Sequence, residues 1–102
     1  MSDAQSRIKS LVEENAVFLF MKGTPDMPQC GFSMRAIQML QHLNVPFGSF
    51  NVLEDAEVRQ GVKDFAQWPT IPQLYIKGQF VGGSDIMMEM FQSGELEQAL
   101  QF

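Results

Sequence analysis

The sequence is short of the features on which several large classes of protein depend. It holds one cysteine in 102 residues, which excludes an internal disulfide and with it a secreted disulfide scaffold. Seven Lys and Arg stand against twelve Asp and Glu, a net charge of −5, which argues against a protein that binds phosphate backbones through clustered cations. No apolar run approaches the length that crosses a bilayer. We therefore expect neither a nucleic-acid partner nor a membrane partner.

The scarcity of cysteine also bears on the compartment. A lone thiol suits a reducing environment, and the polar stretch 1–7, with Asp3, is unlike a signal peptide or an Arg-rich transit sequence. These features predict a cytoplasmic protein. A mature organelle protein that has lost its transit sequence would look the same, so that alternative stays open.

Apolar periodicity and turn residues predict one domain over 1–102, built from alternating helices and strands. The predicted elements are a helix with Ile8, Leu11 and Val12 on one face, a buried strand over 16–21, a helix over 33–43, a weaker strand over 47–52, a helix capped by Asp55, a hairpin over 73–82 that turns at Lys77-Gly78, a helix from Gly83 with Ile86, Met90 and Phe91 inward, and a short helix over 95–100. A crossover helix makes the first two strands parallel, and the hairpin adds antiparallel strands. The sequence therefore predicts an α/β fold with a mixed four-stranded sheet and helices on both faces.

The single cysteine, Cys30, lies where the first strand gives way to a helix. A free cysteine is most often an inert core residue, and that interpretation is the simple alternative. At a helix N-terminus, however, unpaired N–H groups and the helix dipole favour a negative sulfur. Lys22, at the end of the preceding strand, is placed to add a cation. Both effects lower a thiol pKa, so Cys30 is the candidate nucleophile and metal ligand.

Three motifs in order give the chain a family resemblance. C-G-F-S at 30–33 after M-K-G-x-P, W-P-T-x-P-Q-L at 68–74 and G-G-x-D-I at 82–86 together resemble the monothiol glutaredoxins. The match runs from about Ile8 to Leu100. The resemblance implies the thioredoxin fold with sheet order 2-1-3-4, and a cis peptide bond at Ile71-Pro72 facing the active cysteine.

The resemblance also implies glutathione binding, with cations at the glycine end of the tripeptide. Lys22 and Arg59 would hold the glycine carboxylate, since paired cations suit a carboxylate better than a neutral donor. Lys63 lies one helical turn after Arg59 and could join them. The alternative for all three is ordinary solvated surface charge.

The remaining contacts implied by the resemblance come from two other segments. Ile71 would offer its backbone to the cysteinyl part of glutathione, and the Ser84 N–H with the Asp85 carboxylate would receive the γ-glutamyl end. The alternative for Asp85 is a helix cap. Phe32 is expected to shield one side of the sulfur, although an aromatic there is more often core, and Trp68 is expected to serve in packing.

The absence of a second thiol limits what Cys30 can do. Ser33 occupies the place of the resolving cysteine of a dithiol enzyme, and Ser84 stands where many relatives carry another cysteine. Any redox turnover must therefore use glutathione as the resolving thiol. A 2Fe-2S cluster needs four thiolates, which two chains supply only as two Cys30 and two glutathiones. Such a cluster would bridge a homodimer and be labile, which suits a carrier.

Three functions follow from these limits. We favour a glutathione-ligated iron–sulfur carrier in cluster assembly and iron homeostasis, with weak or no classical oxidoreductase activity. The second is a glutathione-dependent thiol oxidoreductase that uses Cys30 alone. The third is a non-catalytic adaptor in iron regulation. The resemblance implies a BolA-type protein and apo iron–sulfur proteins as partners.

Overall fold

The computed structural model describes residues 3–102 and confirms the predicted order of elements. In chain order these are α1 (Asp3–Glu14), β1 (Val17–Met21), α2 (Gly31–His42), β2 (Gly48–Asn51), a 3₁₀ turn (Val52–Glu54), α3 (Ala56–Ala66), β3 (Gln73–Ile76), β4 (Gln79–Gly82), α4 (Ser84–Ser93) and α5 (Glu95–Ala99). The expected domain also included residues 1 and 2, which lie outside the described part of the chain. No helix within 3–102 is both long and apolar enough to span a membrane.

The four strands form one mixed sheet in the order β2-β1-β3-β4, as the resemblance implied. β1 runs parallel to β2 and antiparallel to β3, and β3 and β4 form the antiparallel hairpin. The hairpin turns at Lys77 and Gly78, both with positive φ, as expected for a two-residue hairpin turn. The Ile71-Pro72 peptide bond is cis, which also agrees with the expectation.

β1 is central because its five consecutive apolar residues are buried on both faces of the sheet. Val17, Leu19 and Met21 alternate with Phe18 and Phe20, and the two sets pack into separate cores. The first core lies beneath α2, α4 and α5, and the second lies beneath α1 and α3. The prediction of helices on both faces is therefore confirmed.

Three local features differ from the prediction. α2 begins at Gly31, two residues early, so Cys30 is its N-cap residue. The second strand ends at Asn51, because the Asn51 side chain accepts a hydrogen bond from Leu53 N and turns the chain into the 3₁₀ segment. In α4 the fully buried residue is Met87, whereas the three residues predicted to face inward are only partly buried.

Candidate functional site

A cleft of about 330 Å³ opens where the carboxyl end of β1 meets the beginnings of α2 and α4. Its walls come from four parts of the chain: the start of α2 with Lys22, the part of α3 from Arg59 to Lys63, the segment before β3, and the β4–α4 junction. The lining residues are Lys22, Cys30, Phe32, Arg59, Lys63, Trp68, Pro69, Thr70, Ile71, Pro72, Gly83, Ser84, Asp85 and Ile86. Every site residue predicted from the sequence thus lies around one cleft.

The loop between β1 and α2 is folded tightly enough to require glycine at its start. Gly23 has φ +90°, and a Cβ there would collide with the Met27 carbonyl oxygen. The Gly23 N–H donates to Asn51 Oδ1 over 2.9 Å, and Gln29 N–H donates back to the Lys22 carbonyl over 2.9 Å. The loop is therefore fastened to β2 and to itself, and it delivers Cys30 to the helix in an extended conformation.

Cys30 is partly exposed at the N-terminus of α2, with φ −157° and ψ 138°. Partial burial raises the pKa of the thiol, but four opposing effects together outweigh it. The N–H groups of Ser33 and Phe32 lie close enough to stabilise a negative sulfur, and the Lys22 charge and the Ser33 hydroxyl add to them. The pKa of Cys30 is thus lowered from its ordinary value, which is the condition for a reactive thiolate.

Ser33 links the sulfur to the end of the strand. The side chain is fully buried, and its Oγ accepts a hydrogen bond from Lys22 N over 3.1 Å. The hydroxyl therefore holds β1 and α2 together at the point where a dithiol enzyme would carry its second sulfur.

Three cations line the cleft. Arg59 and Lys63 project from α3 one turn apart, and Lys22 approaches from the end of β1. Within residues 3–102 the single ion pair joins Arg7 to Asp55, so no carboxylate of the described chain forms an ion pair with the three cleft cations, although Asp85 lies in the same cleft. An acidic protein therefore presents a local cationic site, and Lys63, whose role the sequence left open, belongs to it.

The wall opposite α3 carries polar groups without partners. Ser84 begins α4 and is 6% exposed, and its Oγ has no hydrogen-bond partner in the described structure. Asp85, in the first turn of α4, is exposed, and its carboxylate accepts no hydrogen bond from residues 3–102. The cap alternative for Asp85 thus finds no hydrogen bond to support it. Both groups are available to a ligand at a helix N-terminus.

The two aromatic residues of the cleft differ in their surroundings. Phe32 is 54% exposed and lies in the cleft with Cys30, which favours shielding of the sulfur over the core alternative. Trp68 packs on Phe80 with 5.8 Å between ring centroids, as expected, but it also lines the cleft, and its indole Nε1 is buried without a partner.

Gly83 and Ile86, predicted only as parts of a helix, also line the cleft, and four more residues around the site were missed in the sequence. Pro69 and Thr70 line the cleft beside Ile71. Asn51 fastens the active loop, and buried Gln73 donates to the carbonyl oxygens of Trp68 and Thr70. The only sequence signal was that Pro69, Thr70 and Gln73 fall inside a motif. The sequence does not show which groups a buried polar residue such as Gln73, at the start of a strand, will bond.

The sheet order, with a lone cysteine at the N-terminus of the helix after β1, defines a thioredoxin-fold thiol protein. The family model for glutaredoxin matches residues 17–81. A ycf64-like monothiol glutaredoxin from Synechocystis is 54% identical over 97% of this chain and 92% of its own length. The chain belongs to the glutaredoxin family.

Other comparisons agree with this assignment. The solution structure of reduced poplar apo GrxS14 has 51% identity and a TM-score of 0.81, over 92% of this chain and 86% of that one. Some relatives are much longer, and the chain spans only 20% of monothiol glutaredoxin-S17 from Arabidopsis thaliana, at 53% identity.

Proposed function

We propose that this chain binds glutathione in the cleft and carries a labile 2Fe-2S cluster between two subunits as its cargo. The observation that supports this most strongly is the composition of the cleft. One cysteine with a lowered pKa lies with the N-termini of α2 and α4 and with three cations that form no ion pair within residues 3–102, and the chain has no second thiol. Such a site suits an anionic thiol ligand and cannot form a disulfide by itself.

The charges of the cleft fit those of glutathione, which has two carboxylates, one ammonium group and one thiol. Lys22 and Arg59, joined by Lys63, would hold the glycine carboxylate from the α3 side. The γ-glutamyl carboxylate would lie at the N-terminus of α4 against the Ser84 N–H, where its ammonium group can approach Asp85.

Between these two ends, the segment 68–72, which forms the wall before β3, would hold the middle of the tripeptide. The backbone of Ile71 would pair with the cysteinyl residue in the manner of an added strand. This arrangement would bring the glutathione sulfur toward Cys30, which lies on the same cleft.

The donor set supports a shared cluster. Among residues 3–102, no group of three or more His, Cys, Asp or Glu side chains could hold a metal ion. Cys30 offers one sulfur, which lies in the cleft and belongs to a partly exposed residue. Two chains, each with Cys30 and one bound glutathione, supply the four thiolates that a 2Fe-2S cluster needs. Because two of these ligands are held non-covalently, the cargo can be passed to apo iron–sulfur proteins or shared with a BolA-type partner.

Anaerobic reconstitution with iron, sulfide and glutathione tests the proposal. We expect a coloured dimer that bleaches and dissociates when glutathione is removed, and no colour from Cys30→Ser. An exposed serine on α1, changed as Ser10→Ala, serves as the control that should assemble normally. A wild-type chain that stays colourless and monomeric would refute the carrier function.

A second function is supported by the lowered pKa of Cys30. The thiolate would attack the glutathione sulfur of a protein mixed disulfide, forming glutathionylated Cys30 and releasing the protein thiolate, which takes up a proton. The thiolate of a second glutathione would then attack the Cys30–glutathione disulfide, forming oxidised glutathione and regenerating Cys30. Rapid reduction of a glutathionylated peptide by a colourless monomer would favour this function.

The adaptor function has its own distinguishing result. A coloured complex with one BolA-type chain that fails to transfer its cluster to an apo-protein would favour it over the carrier. The cytoplasmic compartment also stays a prediction, and relatives with mitochondrial and chloroplastic names are among those that match.

A further inference from the structure

A buried side-chain network lies directly behind the cleft wall. Gln73, the first residue of β3, is 0% exposed, and its Nε2 donates hydrogen bonds to the carbonyl oxygens of Trp68 and Thr70, both over 3.2 Å. Its Oε1 accepts a hydrogen bond from the Tyr75 hydroxyl over 3.0 Å. Both N–H bonds and the oxygen of this amide are therefore engaged.

Tyr75 is the partner of the Gln73 amide oxygen. The phenol is 1% exposed and packs among the rings of Phe20, Phe65 and Phe80, with centroids 5.5–5.9 Å away. Burial raises the pKa of Tyr75 well above its ordinary value, so the hydroxyl stays protonated and remains a donor. The two carbonyls can only accept, so Nε2 must face them, and Oε1 then faces the Tyr75 hydroxyl, which donates to it. A flipped amide would oppose oxygen to oxygen.

The two carbonyls belong to the segment 68–72, which forms one wall of the cleft. At its start, Trp68 N–H donates to the Lys63 carbonyl at the end of α3 over 3.0 Å. On its outer side lies Gly83, where a Cβ would stand 3.2 Å from the Pro72 carbonyl oxygen and 3.5 Å from Trp68 Nε1. The wall is thus held from α3 and from the β4–α4 junction, and Gln73 holds its middle.

We propose that Gln73, whose amide oxygen is held by Tyr75, is a positioning residue for the peptide ligand of the cleft. Neither side chain lines the cleft, and both act through the carbonyls of Trp68 and Thr70, which precede Ile71 in the wall. The two hydrogen bonds keep the Ile71 backbone in one arrangement before the ligand arrives, so the ligand does not bear the entropy of ordering it. This inference rests on the proposed binding of glutathione.

The test is a double variant, Gln73→Met with Tyr75→Phe, compared with each single change. Tyr75→Phe alone leaves Oε1 buried and unpartnered, which lowers the free energy of unfolding. In the double variant, apolar groups of similar shape replace the Gln73 amide and the Tyr75 hydroxyl, and the carbonyls of Trp68 and Thr70 lose their donor. We expect its stability to recover relative to Gln73→Met, which also leaves the Tyr75 hydroxyl buried and unpartnered, while its affinity for glutathione falls about tenfold, or about 1.4 kcal/mol.

Two further measurements separate positioning from a merely structural role. Amide hydrogen exchange should quicken at Thr70 and Ile71 in the double variant, while the pKa of Cys30 stays unchanged because its surroundings are untouched. The matched control is Val12→Ala, in the buried face of α1, which contributes no residue to the cleft. It should lower the free energy of unfolding and leave the dissociation constant for glutathione as in the wild type.

The outcomes are distinguishable by calorimetric titration with glutathione. If the wild type binds and the double variant binds ten times more weakly, with Val12→Ala unaffected, the positioning role stands. If the wild type and the double variant bind equally, the positioning role is wrong and the proposed function survives. If the wild type does not bind glutathione at all, both the positioning role and the proposed function are wrong.

Discussion

Lys22 and Cys30 are eight residues apart, and their proximity depends on the folded loop between them. The cation acts on the sulfur together with the N–H groups of Ser33 and Phe32, against the opposing effect of burial. Because the sulfur is partly exposed, the charge contribution acts partly through solvent and is reduced by salt. The backbone groups are fixed by the start of α2 and do not depend on any one side chain.

Replacing Lys22 by Met should therefore raise the pKa of Cys30 toward its ordinary value, because the variant keeps the length of the side chain and loses its charge. Lys22→Arg should leave the pKa lowered. The ultraviolet absorbance of the thiolate, followed against pH at low ionic strength, gives the midpoint directly. Lys9→Met, on exposed α1, is a control for nonspecific charge loss. Equal midpoints for Lys22→Met and the wild type would show that Lys22 does not lower the pKa of Cys30.

The cations of α3 lead to a second prediction at this scale. Arg59→Glu places a negative charge in the cleft beside Lys63, so the dissociation constant for glutathione should rise about tenfold or more. Lys77→Glu is the matched control, since Lys77 lies in the β3–β4 turn and stacks on Phe102, outside the cleft. Calorimetric titration compares the two. An unchanged dissociation constant for Arg59→Glu would exclude that residue from the ligand site.

Among the elements of the fold, the loop 22–30 shows how a short segment can be fastened by distant residues. Its start is held by Asn51, which accepts from Gly23 N–H and from Leu53 N–H with the same oxygen. Its end continues into α2 through Met34 N–H, which donates to the Cys30 carbonyl over 2.9 Å. Cys30 is thus placed by both neighbouring strands as well as by its own helix.

Two glycines of this region should respond oppositely to alanine. Gly23→Ala must adopt a positive φ and push against the Met27 carbonyl, so we expect a loss of roughly 2 kcal/mol or more in the free energy of unfolding. At Gly31, the first residue of α2, a Cβ meets nothing within 4 Å, and alanine should be neutral or slightly stabilising. Urea denaturation measures both. Equal stability of the two variants would contradict this account of the loop.

For the molecule as a whole, the sheet separates two cores, and stability is shared between them. The proton equilibrium of Cys30 adds a pH-dependent contribution to this stability. Because the thiol pKa is lowered in the folded state, the unfolded chain binds more protons between the folded and the ordinary pKa. Stability must therefore rise with pH across that interval and level off above it.

The difference in free energy of unfolding between the wild type and Cys30→Ser isolates this contribution. We expect the difference to grow in favour of the wild type as the pH rises from below the folded pKa of Cys30 to above its ordinary value, and to be lost as the pH falls again. Urea unfolding at a series of pH values under anaerobic, reducing conditions gives the curve. A difference that is flat with pH would mean that the folded environment does not favour the thiolate.

Much of the fold could be predicted because its signals are local. The apolar run over 16–21 indicated β1, Asp55 is the N-cap of α3 as expected, and its Oδ1 accepts from Glu57 N and Val58 N. At α4 periodicity was right for Met90 and Phe91, which pack against the first core, but it missed the fully buried Met87, because a helix that packs against both α2 and the sheet edge is apolar on a broad face.

By itself, the sequence determined the order of the elements, the mixed character of the sheet, the family resemblance and the solitary thiol, because these depend on short-range pattern and on composition. Only the tertiary structure decided that Lys63 joins Lys22 and Arg59, and that Asn51 and Gln73 support the cleft from behind. Hydrogen bonds between residues distant in the chain exist only after the sheet has brought their segments together. No periodicity along the chain encodes which buried amide will face which carbonyl.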